Sequence, residues 1–154
     1  MIRRADASEV DALVTLINAA YVVERFFKTG DRIDAARVTA LMNRGAFLVA
    51  TEPDGGLLGC VFVEVRPGRR GYFGLLAVDP SRQHGGAGRR LSAAAEAYCR
   101  DAGCEAIDIR VVNLRTELPP FYERLGYVVA GLEPYDDPDA TLPCHFIVMS
   151  KPLT

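Results

Sequence analysis

The chain has 154 residues, of which 49% are hydrophobic and 25% charged, with a formal net charge of -2 and a pI near 5.7. That length and balance predict a single domain over residues 1–154 with a sizeable core, and exclude extensive disorder. The slight negative charge excludes a nonspecific grip on nucleic acid, although a local basic patch can still meet an anionic ligand.

Ile2 to Arg4 reads as a first strand. Asp6, with Glu9 three residues on, resembles an N-terminal cap, and Val10, Leu13, Val14, Ile17, Ala20 and Tyr21 then recur at helical spacing. Met1 to Tyr21 mixes charges with short apolar groups, and no run of about 18 apolar residues occurs anywhere. Neither a signal peptide nor a membrane span is therefore expected, and the reading is cytoplasmic. Tyr21 to Asp34 loses the helical periodicity and mixes aromatic with charged residues. This segment can line a pocket, or Phe26 and Phe27 can simply fasten it to the core. A short helix follows, carrying Val38, Leu41 and Met42 and stopping at Gly45.

Ala46 to Thr51 and Leu57 to Val65 are β-rich runs joined by Glu52-Pro53-Asp54-Gly55-Gly56, which predicts a hairpin. Tyr72 to Val78 adds a third strand to this antiparallel meander. From Gly86 onward Ala87, Leu91, Ala94, Ala95, Tyr98, Cys99 and Ala102 share one helical face until Gly103 ends the helix. Ile107, Ile109 and Val111 alternate with Asp108 and Arg110, so Tyr72 to Val112 reads as strand, helix, parallel strand. Pro119 and Pro120 are tolerated together only in a first helical turn, which predicts a short helix closed by Gly126. Tyr127 to Gly131 and His145 to Ser150 supply the last strands, separated by a loop from Glu133 to Pro143. Cys60, Cys99, Cys104 and Cys144 have neither CxxC spacing nor a companion histidine cluster, which predicts buried reduced thiols and no metal site.

Gln83-His84-Gly85-Gly86-Ala87-Gly88 lies between a strand and the best-defined helix. Backbone N–H groups at such a junction converge on one volume, the helix dipole favours negative charge there, and glycines let the backbone approach a ligand closely. Arg82, Arg89 and Arg90 add positive charge beside it. No Lys-Ser or Lys-Thr follows the glycines and the preceding strands form a meander, so ATP and NAD loops are disfavoured. A flexible turn with no ligand remains the alternative for a bare glycine-rich loop.

The stretch Val78 to Leu91 resembles the GNAT superfamily of N-acetyltransferases, whose acetyl-CoA motif Gln/Arg-x-x-Gly-x-Gly/Ala is met by Gln83, Gly86 and Gly88. Asn113 and the run Phe121-Tyr122-Glu123-Arg124-Leu125-Gly126-Tyr127 extend the resemblance over nearly the whole chain. It implies an α/β (α+β) fold with a mixed, mostly antiparallel sheet of six to seven strands and about four helices, splayed open where CoA lies. It further implies that pantetheine pairs with backbone at Leu76, Ala77 and Val78, and that Asn113 hydrogen-bonds the pantetheine arm. The pyrophosphate would rest on the N–H groups of Gln83, His84, Gly85, Gly86, Ala87, Gly88 and Arg89, and Tyr122 would sit near the sulfur. Two departures stand out: His84 occupies a place usually held by a small residue, and nine positions separate Asn113 from Tyr122, two more than the common spacing.

The implied reaction moves an acetyl group from acetyl-CoA to a primary amine, a small molecule or a peptide, by direct attack in a ternary complex. Glu117 is the first candidate for the base, with Glu64 and Glu24 behind it, and Tyr122 is the candidate acid for the departing thiolate. Arg110 and His145 are weaker candidates for acceptor contact. Tyr21 to Arg32, the loop from Glu133 to Pro143 and Arg115-Thr116-Glu117 are expected to shape the acceptor pocket. No metal, nucleic acid or membrane partner is expected, and a homodimer is a family-level expectation. A non-catalytic acyl-CoA sensor is the alternative, since fold and loop do not guarantee chemistry.

Overall fold

The computed structural model describes residues 1–83 and 85–153. Four helices, α1 (Val10–Ala20), α2 (Ala35–Met42), α3 (Ala87–Asp101) and α4 (Leu118–Arg124), pack on a seven-stranded sheet. Its strands are β1 (Ile2–Arg4), β2 (Ala46–Thr51), β3 (Leu57–Arg66), β4 (Arg70–Val78), β5 (Ala106–Val112), β6 (Val128–Pro134) and β7 (His145–Pro152). They lie in the order β1-β2-β3-β4-β5-β7-β6, and every neighbouring pair is antiparallel except β4 with β5. The α/β fold and the meander followed by a parallel crossover are thus as the residue pattern predicts. None of the described helices is long and apolar enough to cross a membrane.

Both faces of the sheet centre are covered, so β2 and β3 are apolar on both sides. Ala46, Leu48, Ala50, Val61 and Val63 face α3, whose Leu91, Ala95 and Cys99 complete one core. Phe47, Val49, Cys60 and Phe62 face α1 and α2 and meet Leu13, Ile17, Val38 and Leu41 in a second core. Alternation of period two along each strand sorts these residues between the layers. Burial pushes the thiols of Cys60 and Cys99 up to about 12, which makes them inert core side chains.

The alternation that sorts side chains between the two cores breaks in β4. Tyr72 packs with the α1 and α2 side and Phe73 with the α3 side, but Leu75, Leu76 and Ala77 then continue in the opposite phase. Cys60 pairs with Ala77 and Phe62 with Gly74, so Leu75 and Leu76 together oppose Val61 in a β-bulge. Leu75 takes the strain, at φ +52. Parallel pairing of β4 with β5 covers only Arg70 to Tyr72 against Ala106 to Asp108, after which the two strands part. β3 holds β4 as far as Val78, and β7 holds β5 as far as Val112, so the sheet opens into a wedge without losing either half.

β6 runs to Pro134, three residues beyond the expected end at Gly131. The register shifts between Val129 and Gly131, so that glycine marks a bulge and not a terminus.

Candidate functional site

The wedge between β4 and β5 contains a cavity of about 430 Å³. Leu76, Ala77 and Val78 line it from β4; Gln83, Gly86, Gly88 and Arg89 line it from the glycine-rich junction; Glu117 and Tyr122 line it from α4 and the turn before it. The wedge thus gathers nine of the thirteen residues expected to hold CoA or to serve as first-choice base and acid. Gly85, Ala87 and Asn113 stand outside its lining, and His84 lies outside the described residues. Asn113 ties the sheet together. Its N–H donates to the His145 carbonyl at 2.9 Å, and its Oδ1 accepts the His145 N–H at 2.8 Å, pinning the end of β5 to the start of β7.

Helix α3 begins at the cavity wall with Gly86 in the left-handed region at φ +79. One turn of free N–H groups therefore faces the cavity, with the positive end of the helix dipole behind them. A Cβ placed on Gly88 would lie 3.8 Å from the Phe121 ring and 3.9 Å from Leu76 and Val78, an ordinary contact distance. Nothing inside the protein requires glycine at that position, and the space left empty opens on the cavity. Of the neighbouring cations, Arg89 and Arg124 line the cavity, whereas Arg82 pairs with Glu52 at 2.8 Å and Arg90 donates to the Gly85 carbonyl at 3.0 Å. These features fit an elongated thiol ester carrying phosphates: an apolar slot along β4, then a cationic, N–H-rich end.

Tyr122 is 6% exposed, and its ring is fixed by Phe73, Phe121 and Tyr127 at centroid distances of 6.0, 5.0 and 5.8 Å. Its hydroxyl has no hydrogen-bond partner among the described residues. Burial pushes the phenol well above its usual value of 10, so Tyr122 keeps its proton and has it to donate in a hydrogen bond. Glu117, 58% exposed at the mouth, is raised by burial but lowered more by its own backbone N–H and by Arg115, leaving it below 4.5.

Arg115, overlooked as a single residue in the sequence, organises this end of the cavity. It donates to Glu117 at 3.1 Å and to Glu24 at 2.8 Å, and the pair with Glu24 is nearly shielded from solvent. Two carboxylates share one guanidinium; Arg115 and Glu117 line the cavity, and Glu24 is joined to it through Arg115. Glu64, by contrast, lies in a separate pocket, bound by Arg44 at 3.0 Å and Arg66 at 2.9 Å, so it is removed as a base for this cavity.

The two irregular segments expected to shape an acceptor site are joined. Thr29 N–H donates to Asp139 O at 3.0 Å, Thr141 N–H donates to Phe27 O at 2.7 Å, and Lys28 pairs with Asp137 at 2.6 Å. Phe27 is fully buried and fastens this strap, while Phe26 is exposed. On its first turn Tyr21 lines the cavity, and Glu24 is linked to it by the bond from Arg115.

A sheet parted between parallel strands, with a glycine-started helix aimed into the gap, defines the class as an acetyltransferase-type α/β fold. Residues 10–127 match the Acetyltransferase (GNAT) family, and the chain belongs to that family. Mycothiol acetyltransferase of Salinispora tropica is 36% identical over 104 residues, covering 64% of this chain and 34% of that protein. The protein of the same name from Propionibacterium freudenreichii subsp. shermanii is 31% identical over 130 residues, covering 81% of this chain and 42% of its own. The chain therefore spans roughly a third to two fifths of these curated relatives. Among solved structures, ribosomal-protein-S18-alanine N-acetyltransferase from Escherichia coli superposes with a TM-score of 0.82 at 18% identity, covering 100% of this chain and 94% of that one. Nourseothricin acetyltransferase gives 0.79 at 20%, covering 100% and 98%. These two share the fold.

Proposed function

We propose that the chain transfers an acetyl group from acetyl-CoA to a primary amine by direct attack within a ternary complex. The observation that carries this reading is one cavity joining the glycine-started end of α3 to Tyr122 and the Glu24–Arg115–Glu117 cluster. In the reaction the amine nitrogen bonds to the thioester carbonyl carbon, the C–S bond breaks, one ammonium-derived proton leaves with a base, and the thiolate takes up another.

Leu76, Ala77 and Val78 hold the pantetheine arm along the bulged strand, and the N–H groups from Gly86 to Arg89 hold the pyrophosphate. The bulge turns the backbone at Leu76 toward the reacting carbonyl, where an N–H stabilises the oxyanion. The carboxylate of Glu117, held at the cavity by Arg115, draws the acceptor ammonium to the thioester. An alkylammonium of pKa near 10.4 needs about 4.6 kcal/mol to become neutral at pH 7, so a weak base with a path to solvent suffices. Glu117 at the open mouth provides that path. Tyr122, which holds its proton firmly, donates its hydrogen bond to the departing sulfur.

The test is thiol release from acetyl-CoA over a panel of amines, with wild type and Tyr122→Phe compared. Amine-dependent release is expected, and Tyr122→Phe should lower kcat by about 10²-fold with acetyl-CoA affinity unchanged. Undiminished turnover in Tyr122→Phe would remove that role. CoA binding without thiol release from any amine would favour a sensor over an enzyme.

A further inference from the structure

On the opposite side of the bulge lies a second pocket, of about 120 Å³. Arg32, Arg37, Arg44, Arg66 and Arg110 line it, with Glu64 as the single carboxylate. In a chain with a formal net charge of -2, five guanidiniums around one small volume form a marked local excess. Arg44 and Arg66 share Glu64, and Arg110 meets Glu133 at 3.5 Å. Arg32 and Arg37 have no carboxylate within 4.0 Å among the described residues. The pocket therefore keeps positive charge that its own acids do not neutralise.

Three of these guanidiniums are held by aromatic faces. Arg66 stacks on Tyr72 at 3.9 Å, Arg110 on Phe146 at 4.5 Å, and Arg32 on Tyr21 at 5.2 Å. Stacking fixes the plane of a guanidinium and leaves its N–H edges able to donate, the arrangement that suits a carboxylate or phosphate. The volume is enough for one such group.

The pocket adjoins the proposed acetyl-transfer cavity. Leu75 lines the arginine pocket and Leu76 lines the cavity, so consecutive residues of β4 serve one each. Tyr21, which also lines the cavity, carries the ring on which Arg32 stacks. Resting on the acetyl-transfer reading, we propose that the arginine pocket binds an anionic group, a carboxylate or a phosphate, carried by the acceptor amine. The acceptor then spans the bulge, with its ammonium beside Glu24 and Glu117 and its anion among the arginines. Cationic end and anionic end each meet the opposite charge, which sets both the class and the orientation of the substrate.

Two measurements test this. In the presence of CoA, inorganic phosphate and separately acetate are titrated while the arginine Nε–H resonances are followed. Saturable shifts at Arg32 and Arg37 are expected, with affinity reduced at least about fivefold in Arg37→Gln; resonances that stay fixed in wild type overturn the proposal. Acetylation is then compared for phosphoethanolamine against ethanolamine and for β-alanine against β-alaninamide. The charged member of at least one pair should be favoured about tenfold or more in kcat/KM, and Arg37→Gln should remove most of that preference. The pair that responds identifies the anion. Neutral members used as well as charged ones would overturn the proposal. Phosphate-induced shifts at Arg32 and Arg37 without thiol release from any amine would retain the anion pocket and reject acetyl transfer.

Discussion

At the scale of single residues, Gly88 separates stability from binding. It lies in the first turn of α3 with room for a methyl group, so Gly88→Ala should leave the fold intact and raise stability by up to about 1 kcal/mol. The same methyl group intrudes on the cavity, so CoA affinity should fall about tenfold or more. Thermal denaturation and calorimetric titration of the same variant check both halves, and equal affinity would show that the ligand does not approach this turn. The glycine-rich junction was legible in the sequence because close backbone approach leaves its mark as glycine. Arg115 was not, because its bond to Glu24 joins residues 91 positions apart and nothing local distinguishes it from a surface arginine. Phe121 and Arg124 were quoted within a motif, yet their place in the cavity lining follows only once α4 is docked.

At the scale of elements, helix signals were explicit. Asp6 caps the turn before α1 by accepting the Ser8 N–H at 2.9 Å, and Glu9 accepts the Asp6 N–H at 3.1 Å. Glu9 also receives two bonds of 2.8 Å from Arg3, tying β1 to that turn. The Arg3 hydrogen bond, aided by the backbone and the guanidinium charge, draws the Glu9 carboxyl from 4.5 down to about 2. A depressed carboxylate contributes stability above its unfolded value and loses it as pH falls through the folded one. Glu9→Gln should therefore cost about 1 kcal/mol at pH 7, and the difference from wild type should vanish between about pH 4.5 and 2 in urea unfolding. The bulge in β4 was not read from sequence. Gly74 within an apolar strand was its one local sign, and the phase change at Leu75 emerges only from which core each residue joins.

At the scale of the whole molecule, a sheet that parts at its centre needs ties outside the gap. Tyr127 donates to Glu96 at 2.9 Å and Lys151 donates to the other oxygen at 2.9 Å, joining α3, the end of α4 and β7 in a buried network. Tyr127→Phe should cost about 2 kcal/mol in urea unfolding, since a charged acceptor loses a buried donor. An unchanged midpoint would show that the network is not such a tie. Topology was largely legible because the meander and crossover follow from strand spacing, whereas the strap formed by residues 27–29 and 139–141 was not. Those two segments lack periodicity, and only backbone pairing across more than a hundred residues brings them together.

The central claim is that the wedge between β4 and β5 holds acetyl-CoA. Calorimetric titration with CoA tests it most directly, comparing wild type with Gly88→Ala. Saturable one-site binding that weakens about tenfold or more in the variant is the predicted result. Absence of binding heat together with absence of a thermal shift in the wild type would contradict it.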